Sequence, residues 1–439
     1  AQSYSNVILA CSKSGERGSA QIANDLLLEL VNKYSKGMLP PGNEPELIAF
    51  NGVISAWSRM GRTDKAESAL WLMDDLRTEC KRLVPDKVSY NSVLHAHVKN
   101  RDKAQALRKA IALVQHMEDH SQVQPSIRPD AFTYSTLMKA WVHSGRPDAA
   151  ENAAQIYLKM EQRSAAGDTS VTPHVRNVNV VLNAYAKSRD RSATQKAHAL
   201  LRRLQESETL EPDIISYTSV IECYSKSSDP KASEAAENLL QEAFEEYEKT
   251  GNPEMMPNLR TFTMVIQALA KCPREGNAAK ARLFLSQLTE MYEDTMDEKL
   301  KPNEFPYNYV INCAANTFGT QEDKVRAFRI ATQTYQEMRT STYVKPDSFT
   351  YAFWIKACNN LLPISDLHCK CVSLAFEQCK SDGLVTKEVL NRLQSELAPE
   401  TIQDLLEVQG STGYRHFQVQ DLPRSWSSNT PGWNRGFNR

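Results

Sequence analysis

The sequence predicts an all-α chain, an elongated superhelical solenoid of about nine helix-turn-helix units. Three observations predict it. A short aromatic-led motif recurs nine times, the apolar residues within each copy follow a helical period, and a proline stands just before eight of the copies. Repetition at a period of a few tens of residues is the signature of stacked supersecondary units.

The copies begin at Tyr4, Phe50, Tyr90, Tyr134, Val178, Tyr217, Phe262, Tyr307 and Tyr351, so successive starts lie 39 to 46 residues apart. All but Val178 open on an aromatic residue. Apolar positions follow three, four, six and seven residues after the anchor, as in Tyr217, Val220, Ile221, Cys223 and Tyr224. That is the spacing of a helix face and not of a strand. A break follows, as at Ser144-Gly145-Arg146-Pro147-Asp148. An Ala-rich second helix then ends on a large apolar residue: Ala66 to Met73, Ala149 to Met160, Ala278 to Met291, Ala327 to Met338. Pro45, Pro85, Pro129, Pro173, Pro212, Pro257, Pro302 and Pro346 close the units, most followed by Asp or Asn. Proline stops what precedes it, and Asp or Asn can cap the next helix.

One hairpin cannot bury its apolar face alone, so the copies should share a core across residues 1–383. Residues 384–409 read as polar capping helices, at 386–397 and 399–408. Residues 410–439, with Arg424, Trp426, Trp433, Arg435 and Arg439, read as a flexible tail.

The 439 residues hold 52 Lys and Arg against 53 Asp and Glu, a net charge of −1. Indiscriminate binding of polyanions is excluded, so any nucleic-acid binding requires charges sorted onto one face. Such sorting is present. Nine residues after each anchor stand Lys13, Arg59, Lys99, His143, Lys187, Lys226, Lys271, Asn316 and Asn360. Six of nine are basic, where chance at this composition places about one. Lys and Arg here also suit the carbonyls at a helix C-terminus. Five residues after the anchor the side chains are almost all polar. Two before it stand Ile48, Val88, Phe132, Ile215 and Phe305, with Arg176, Arg260 and Phe349 among the rest. Apolar or planar groups beside a polar stripe suit base faces as well as packing at the helix start.

The pattern of aromatic, then Asn, Thr or Ser, then two apolar residues, with an Ala-rich second helix and a closing Pro-Asp, resembles the pentatricopeptide repeat family. Pro85-Asp86-Lys87-Val88-Ser89-Tyr90-Asn91-Ser92-Val93-Leu94 is the clearest copy. The units exceed that family's usual length of about 35 residues. The resemblance implies a right-handed superhelix that binds single-stranded RNA, one base per repeat. It implies that bases are read by the residue after the anchor and the residue after the closing proline. At matching positions these are Asn51 with Asp86, Asn91 with Asp130, Ser135 with His174, Asn179 with Asp213, Thr218 with Asn258, Thr263 with Asn303, and Asn308 with Asp347. Ser5 with Glu46 and Ser135 with His174 depart from common pairs, and Ala352 leaves the ninth unit without a reader. Asn with Asp implies uracil and Thr with Asn adenine, so the implied tract is x-U-U-x-U-A-A-U-x. Short amide, hydroxyl and carboxylate groups suit a Watson–Crick edge.

No phosphate-binding glycine loop, zinc-deaminase signature or metallonuclease motif is visible, so no catalytic residue, cofactor or metal is expected. His368, Cys369, Cys371 and Cys379 read as helix packing, because C-x-C is not a usual zinc spacing. Nine cysteines without a C-x-x-C pair suggest a reducing compartment. The expected function is sequence-selective RNA binding in organellar RNA processing, stability or translation, by a monomer without membrane contact. RNA-processing or ribosomal proteins are further partners. The alternative is a scaffold within a large organellar complex such as a mitochondrial ribosome, which acidic neutralisation of the basic ladder would favour.

Overall fold

The structure is a computed structural model and describes every residue except 17, 41, 81–82, 364, 397–401, 403–404, 407–416 and 431–439. The described residues form nineteen α-helices with a few 3-10 turns and no strand. No helix among them is long and apolar enough to cross a membrane. They divide into two compact units, Ala1–Pro212 and Asp213–Arg439.

The first unit is a stack of five hairpins: α1 (Gln2–Ser14) with α2 (Ser19–Ser35), α3 (Leu47–Arg59) with α4 (Thr63–Asp75), α5 (Lys87–Lys99) with α6 (Lys103–His120), α7 (Ala131–Ser144) with α8 (Ala149–Ala165), and α9 (Val175–Lys187) with α10 (Ala193–Gln205). The second holds α11 (Ile214–Lys226) with α12 (Ala232–Thr250), α13 (Leu259–Lys271) with α14 (Asn277–Thr295), α15 (Glu304–Ala315) with α16 (Gln321–Thr340), and α17 (Ser348–Leu361) with α18 (Asp366–Ser381). It ends on α19 (Lys387–Glu396). Every anchor motif lies in the first helix of a pair, so the all-α repeat reading holds. First helices run 12 to 14 residues and second helices 13 to 20, which places much of the variable spacing in the second helices.

Within each unit the first helices stack directly on one another, and each second helix packs on its own first helix and the next. The residue four after the anchor explains the stacking. Ile8, Ile54, Leu94, Met138, Leu182, Ile221, Ile266, Ile311 and Ile355 are all 0% exposed. Burying each contributes about 1.5–3 kcal/mol. Two residues on, Ala56, Ala96, Ala140, Ala184, Cys223, Ala268, Cys313 and Ala357 are buried small side chains that let the backbones approach. The aromatic anchors fill the space between layers, and some send a hydroxyl outward: Tyr4 to Glu29, Tyr134 to Glu118 and Tyr351 to Asp382. Met73 and Met338 stand buried in the last turns of α4 and α16 as expected, whereas α8 runs five residues past buried Met160 and Tyr292 takes the buried place next to half-buried Met291.

The end of the chain corrects one expectation. Residues 417–430 are not a loose tail: they fold onto the turn after α18. The Val385 N–H donates to the Trp426 carbonyl at 2.8 Å, Ser427 Oγ donates to the Val385 carbonyl at 2.7 Å, and the Asn429 N–H donates to the Gly383 carbonyl at 2.9 Å. Trp426 is buried beside Phe376, with Lys380 Nζ 4.3 Å from a ring centroid. Gly383 has φ +67, and a Cβ there would lie 2.5 Å from Ser428 Oγ, so only glycine fits this turn. Much of the expected 399–408 helix, and Trp433, Arg435 and Arg439, lie outside the described residues. His368 and Cys379 are buried on α18, where His368 Nε2 meets Asn359 Oδ1 at 2.7 Å; Cys369 and Cys371 are half-buried.

Candidate functional site

The site begins at the caps of the first helices. Asp86, Asp130, Asp213 and Asp347 sit in extended backbone before α5, α7, α11 and α17. One carboxylate oxygen of each accepts the N–H of Ser89, Thr133, Ser216 or Thr350, at 2.8–3.0 Å. The hydroxyl of that residue accepts the cap's own N–H, a reciprocal capping box. Asn258 and Asn303 cap α13 and α15 through Arg260 and Thr261, and through Phe305. Glu46 and His174 begin α3 and α9 without a side-chain cap bond.

The caps reach the preceding first helix. Asn51 Nδ2 donates to Asp86 Oδ1 at 3.2 Å, and Ser89 Oγ donates to Asn51 Oδ1 at 2.6 Å. The same triad joins Asn91, Asp130 and Thr133 at 3.4 and 2.8 Å, and Asn308, Asp347 and Thr350 at 3.0 and 2.6 Å. The hydroxyl dictates which way each amide faces. Each of these contacts uses one amide N–H and one carboxylate oxygen of its pair, so the pair keeps a second N–H and a second oxygen, a donor and an acceptor. Lys87 Nζ lies 3.5 Å from that oxygen of Asp130.

The remaining pairs differ. Ser5 Oγ donates to Glu46 at 3.1 Å. Thr218 shares a 2.8 Å hydroxyl bond with Thr261, so it meets Asn258 only through an intermediary. Thr263 turns back onto the Leu259 carbonyl at 2.6 Å, and among the described residues no bond joins it to Asn303. None joins half-buried Ser135 to His174 either; the His174 N–H is held by Asn177 Oδ1 at 2.9 Å. Asn179 is buried on α9 in the first unit and Asp213 caps α11 in the second, so their pairing stays an expectation.

Lys13, Arg59, Lys99, Lys187, Lys226 and Lys271 are all exposed in the last turn of a first helix. Among the described residues only Lys226 has a carboxylate partner, Glu222 at 2.6 Å. In the second unit the ladder position also closes the neighbouring helix: Lys271, Asn316 and Asn360 donate to the Lys226, Ala270 and Ala315 carbonyls at 2.8–3.2 Å. Both roles expected of this position are therefore compatible. Ile48, Val88, Phe132, Ile215 and Phe305 are 49–55% exposed.

A cleft of about 350 Å³ along α3, α5 and the start of α7 gathers these features, lined by Val88, Phe132, Asn91, Asp130, Arg59 and His95 among others. Two open apolar side chains flank the donor–acceptor pair, and a cation stands at the rim. Burial, then Lys99 and Lys139, holds the His95 pKa below its ordinary value, so the imidazole is neutral at pH 7. Two contributors were missed in sequence reading: the bracing Ser89, Thr133 and Thr350, and Glu222. The bracing residues had a visible signal in the Asp-x-x-Ser/Thr spacing of a capping box; Glu222 had none beyond its place in the polar stripe.

A model described as the PPR repeat matches residues 48–77 and 132–163, which are the hairpins α3/α4 and α7/α8. The chain is 37% identical over 100 residues to the chloroplastic pentatricopeptide repeat-containing protein PPR5 of Zea mays, a match spanning 22% of this chain and 19% of that one. It is 34% identical over 102 residues to the chloroplastic protein At4g39620 of Arabidopsis thaliana, spanning 23% and 17%. The crystal structure of the pentatricopeptide repeat protein PPR10 from maize aligns over 93% of this chain and 59% of its own, at 18% identity and a TM-score of 0.40. A model of this repeat thus matches two of the capped hairpins, and the same anchor motif recurs in the other first helices: the chain carries pentatricopeptide repeats.

Proposed function

We propose that this chain is a non-enzymatic protein that binds single-stranded RNA along its first-helix layer and reads one base per repeat. The cleft along α3, α5 and the start of α7 carries the reading: Val88 and Phe132 stand where a base could be sandwiched, with Asn91 and Asp130 in the same lining. Stacking is tolerant of base identity, so the hydrogen-bonding pair supplies the choice. The base identities follow the family resemblance: U at Asn51/Asp86, Asn91/Asp130, Asn179/Asp213 and Asn308/Asp347, A at Thr218/Asn258 and Thr263/Asn303. Ladder cations add a modest electrostatic term, in keeping with a net charge of −1. Relatives named chloroplastic support action in an organelle. That five of six ladder cations have no acidic partner among the described residues favours RNA over the scaffold alternative.

The test is selection from random RNA with the purified protein. Enrichment of a U-U-x-U-A-A-U core is expected. No enrichment, with co-purifying protein partners instead, would overturn the reading in favour of a scaffold.

A further inference from the structure

One slot of the second unit is built differently. Glu222 on α11 is only 8% exposed and accepts from Lys226 Nζ at 2.6 Å and from Arg260 Nη2 at 2.5 Å. Burial alone would raise its pKa, but the Lys226 and Arg260 hydrogen bonds outweigh that and hold it ionised. Arg260 stands two residues before the Phe262 anchor of α13, the register of Val88 and Phe132, and its side chain is 61% exposed. Across the slot, Ile215 is similarly open on α11, and the Thr218–Thr261 hydroxyl bond ties the two helices between them.

We propose, on the RNA-binding reading, that Arg260 is the stacking platform of this slot and that Glu222 is its positioning residue. A base inserts between Ile215 and the flat guanidinium, which Glu222 holds from behind. An unrestrained arginine in this exposed place would swing to the nearest phosphate. Tied by a carboxylate, it keeps its plane toward the slot while most of its charge is neutralised. Guanidinium stacking gains with ring area, so this slot favours a purine, in line with the adenine implied for Thr218 and Asn258.

The experiment measures binding of a synthetic U-U-U-U-U-A-A-U RNA whose sixth base is adenine, uracil or absent (an abasic sugar). Full-length wild type is compared with Arg260→Ala, Arg260→Phe and Glu222→Gln. Wild type should bind the adenine RNA about tenfold more tightly than the abasic one. Arg260→Ala should abolish that ratio, Arg260→Phe should restore it, and Glu222→Gln should reduce it while steepening the salt dependence, because one negative charge is lost. Arg260→Ala weakening all three RNAs equally would make Arg260 a phosphate contact and overturn the proposal. An unchanged ratio in Glu222→Gln, at unchanged melting temperature, would overturn the positioning role. If wild type binds none of the RNAs, the proposed function fails instead.

Discussion

The first-helix and second-helix layers carry charge in opposite ways. In the second-helix layer cations are paired from one hairpin to the next: Lys109 with Glu67 at 2.5 Å, Lys159 with Glu118 at 2.7 Å, Lys196 with Glu151 at 3.1 Å, Arg203 with Glu161 at 2.6 Å, Lys280 with Glu237 at 2.8 Å, and Arg282 with Glu337. In the first-helix layer five of six ladder cations have no acidic partner among the described residues. The packing differs in parallel. First helices touch through Ala and Cys, whereas successive second helices meet mainly through long side chains. A net charge near zero therefore hides second-helix cations paired across hairpins and, among the described residues, five ladder cations without a carboxylate.

The largest effect separates the layers by burial. Ile266→Ala, at a fully buried first-helix position, should cost about 2–5 kcal/mol in urea unfolding. Leu283→Ala, exposed on α14, should stay within about 0.5 kcal/mol. Equal losses would show that the core does not lie between the first helices.

Next comes base choice. Exchanging Asn91→Thr together with Asp130→Asn should move preference at one position from U toward A by about tenfold, equivalent to about 1.4 kcal/mol. Asp130→Ala alone should also lower stability by about 1 kcal/mol through loss of the cap. An unmoved preference in a binding selection would remove the pair from the reading role.

Salt dependence tests the charge contrast itself. Arg59→Gln or Lys99→Gln should each lower the slope of log affinity against log salt by about 0.7. Lys109→Gln or Lys159→Gln, in the paired layer, should leave it unchanged.

A smaller effect is pH-dependent. The folded-state pKa of His95 lies below its ordinary value, so below about pH 6.5 the unfolded chain binds more protons and stability falls as pH drops. On the proposed RNA-binding reading, a phosphate near the ring would act oppositely by favouring the imidazolium. Affinity should rise between pH 7.5 and 5.5, and His95→Gln should flatten both trends in parallel titrations. The smallest effect is a double-mutant cycle on exposed Lys196 and Glu151, expected to give about 0.2–1 kcal/mol.

The anchors, the caps and the basic ladder were legible because each depends on residues close in the chain. Helical period, a proline stop and a capping box all act within a turn or two. What sequence reading could not reach were contacts that exist only after stacking. Thr133 braces Asn91 from 42 residues away. Thr263 faces its own Leu259 carbonyl and not Asn303, although its motif matches that of Thr218. Trp426 looked like part of a mobile terminus until the turn at Gly383 was seen to hold it.

By itself the sequence determined the helical pairs, the apolar positions that each first helix buries, and the likeness to a known repeat, because local periodicity repeated nine times leaves little freedom. Only the tertiary structure decided which cations are neutralised and which amide, hydroxyl and carboxylate groups already have partners. Those answers depend on side chains some 40 residues apart meeting across stacked helices, a distance in sequence over which no local pattern reports.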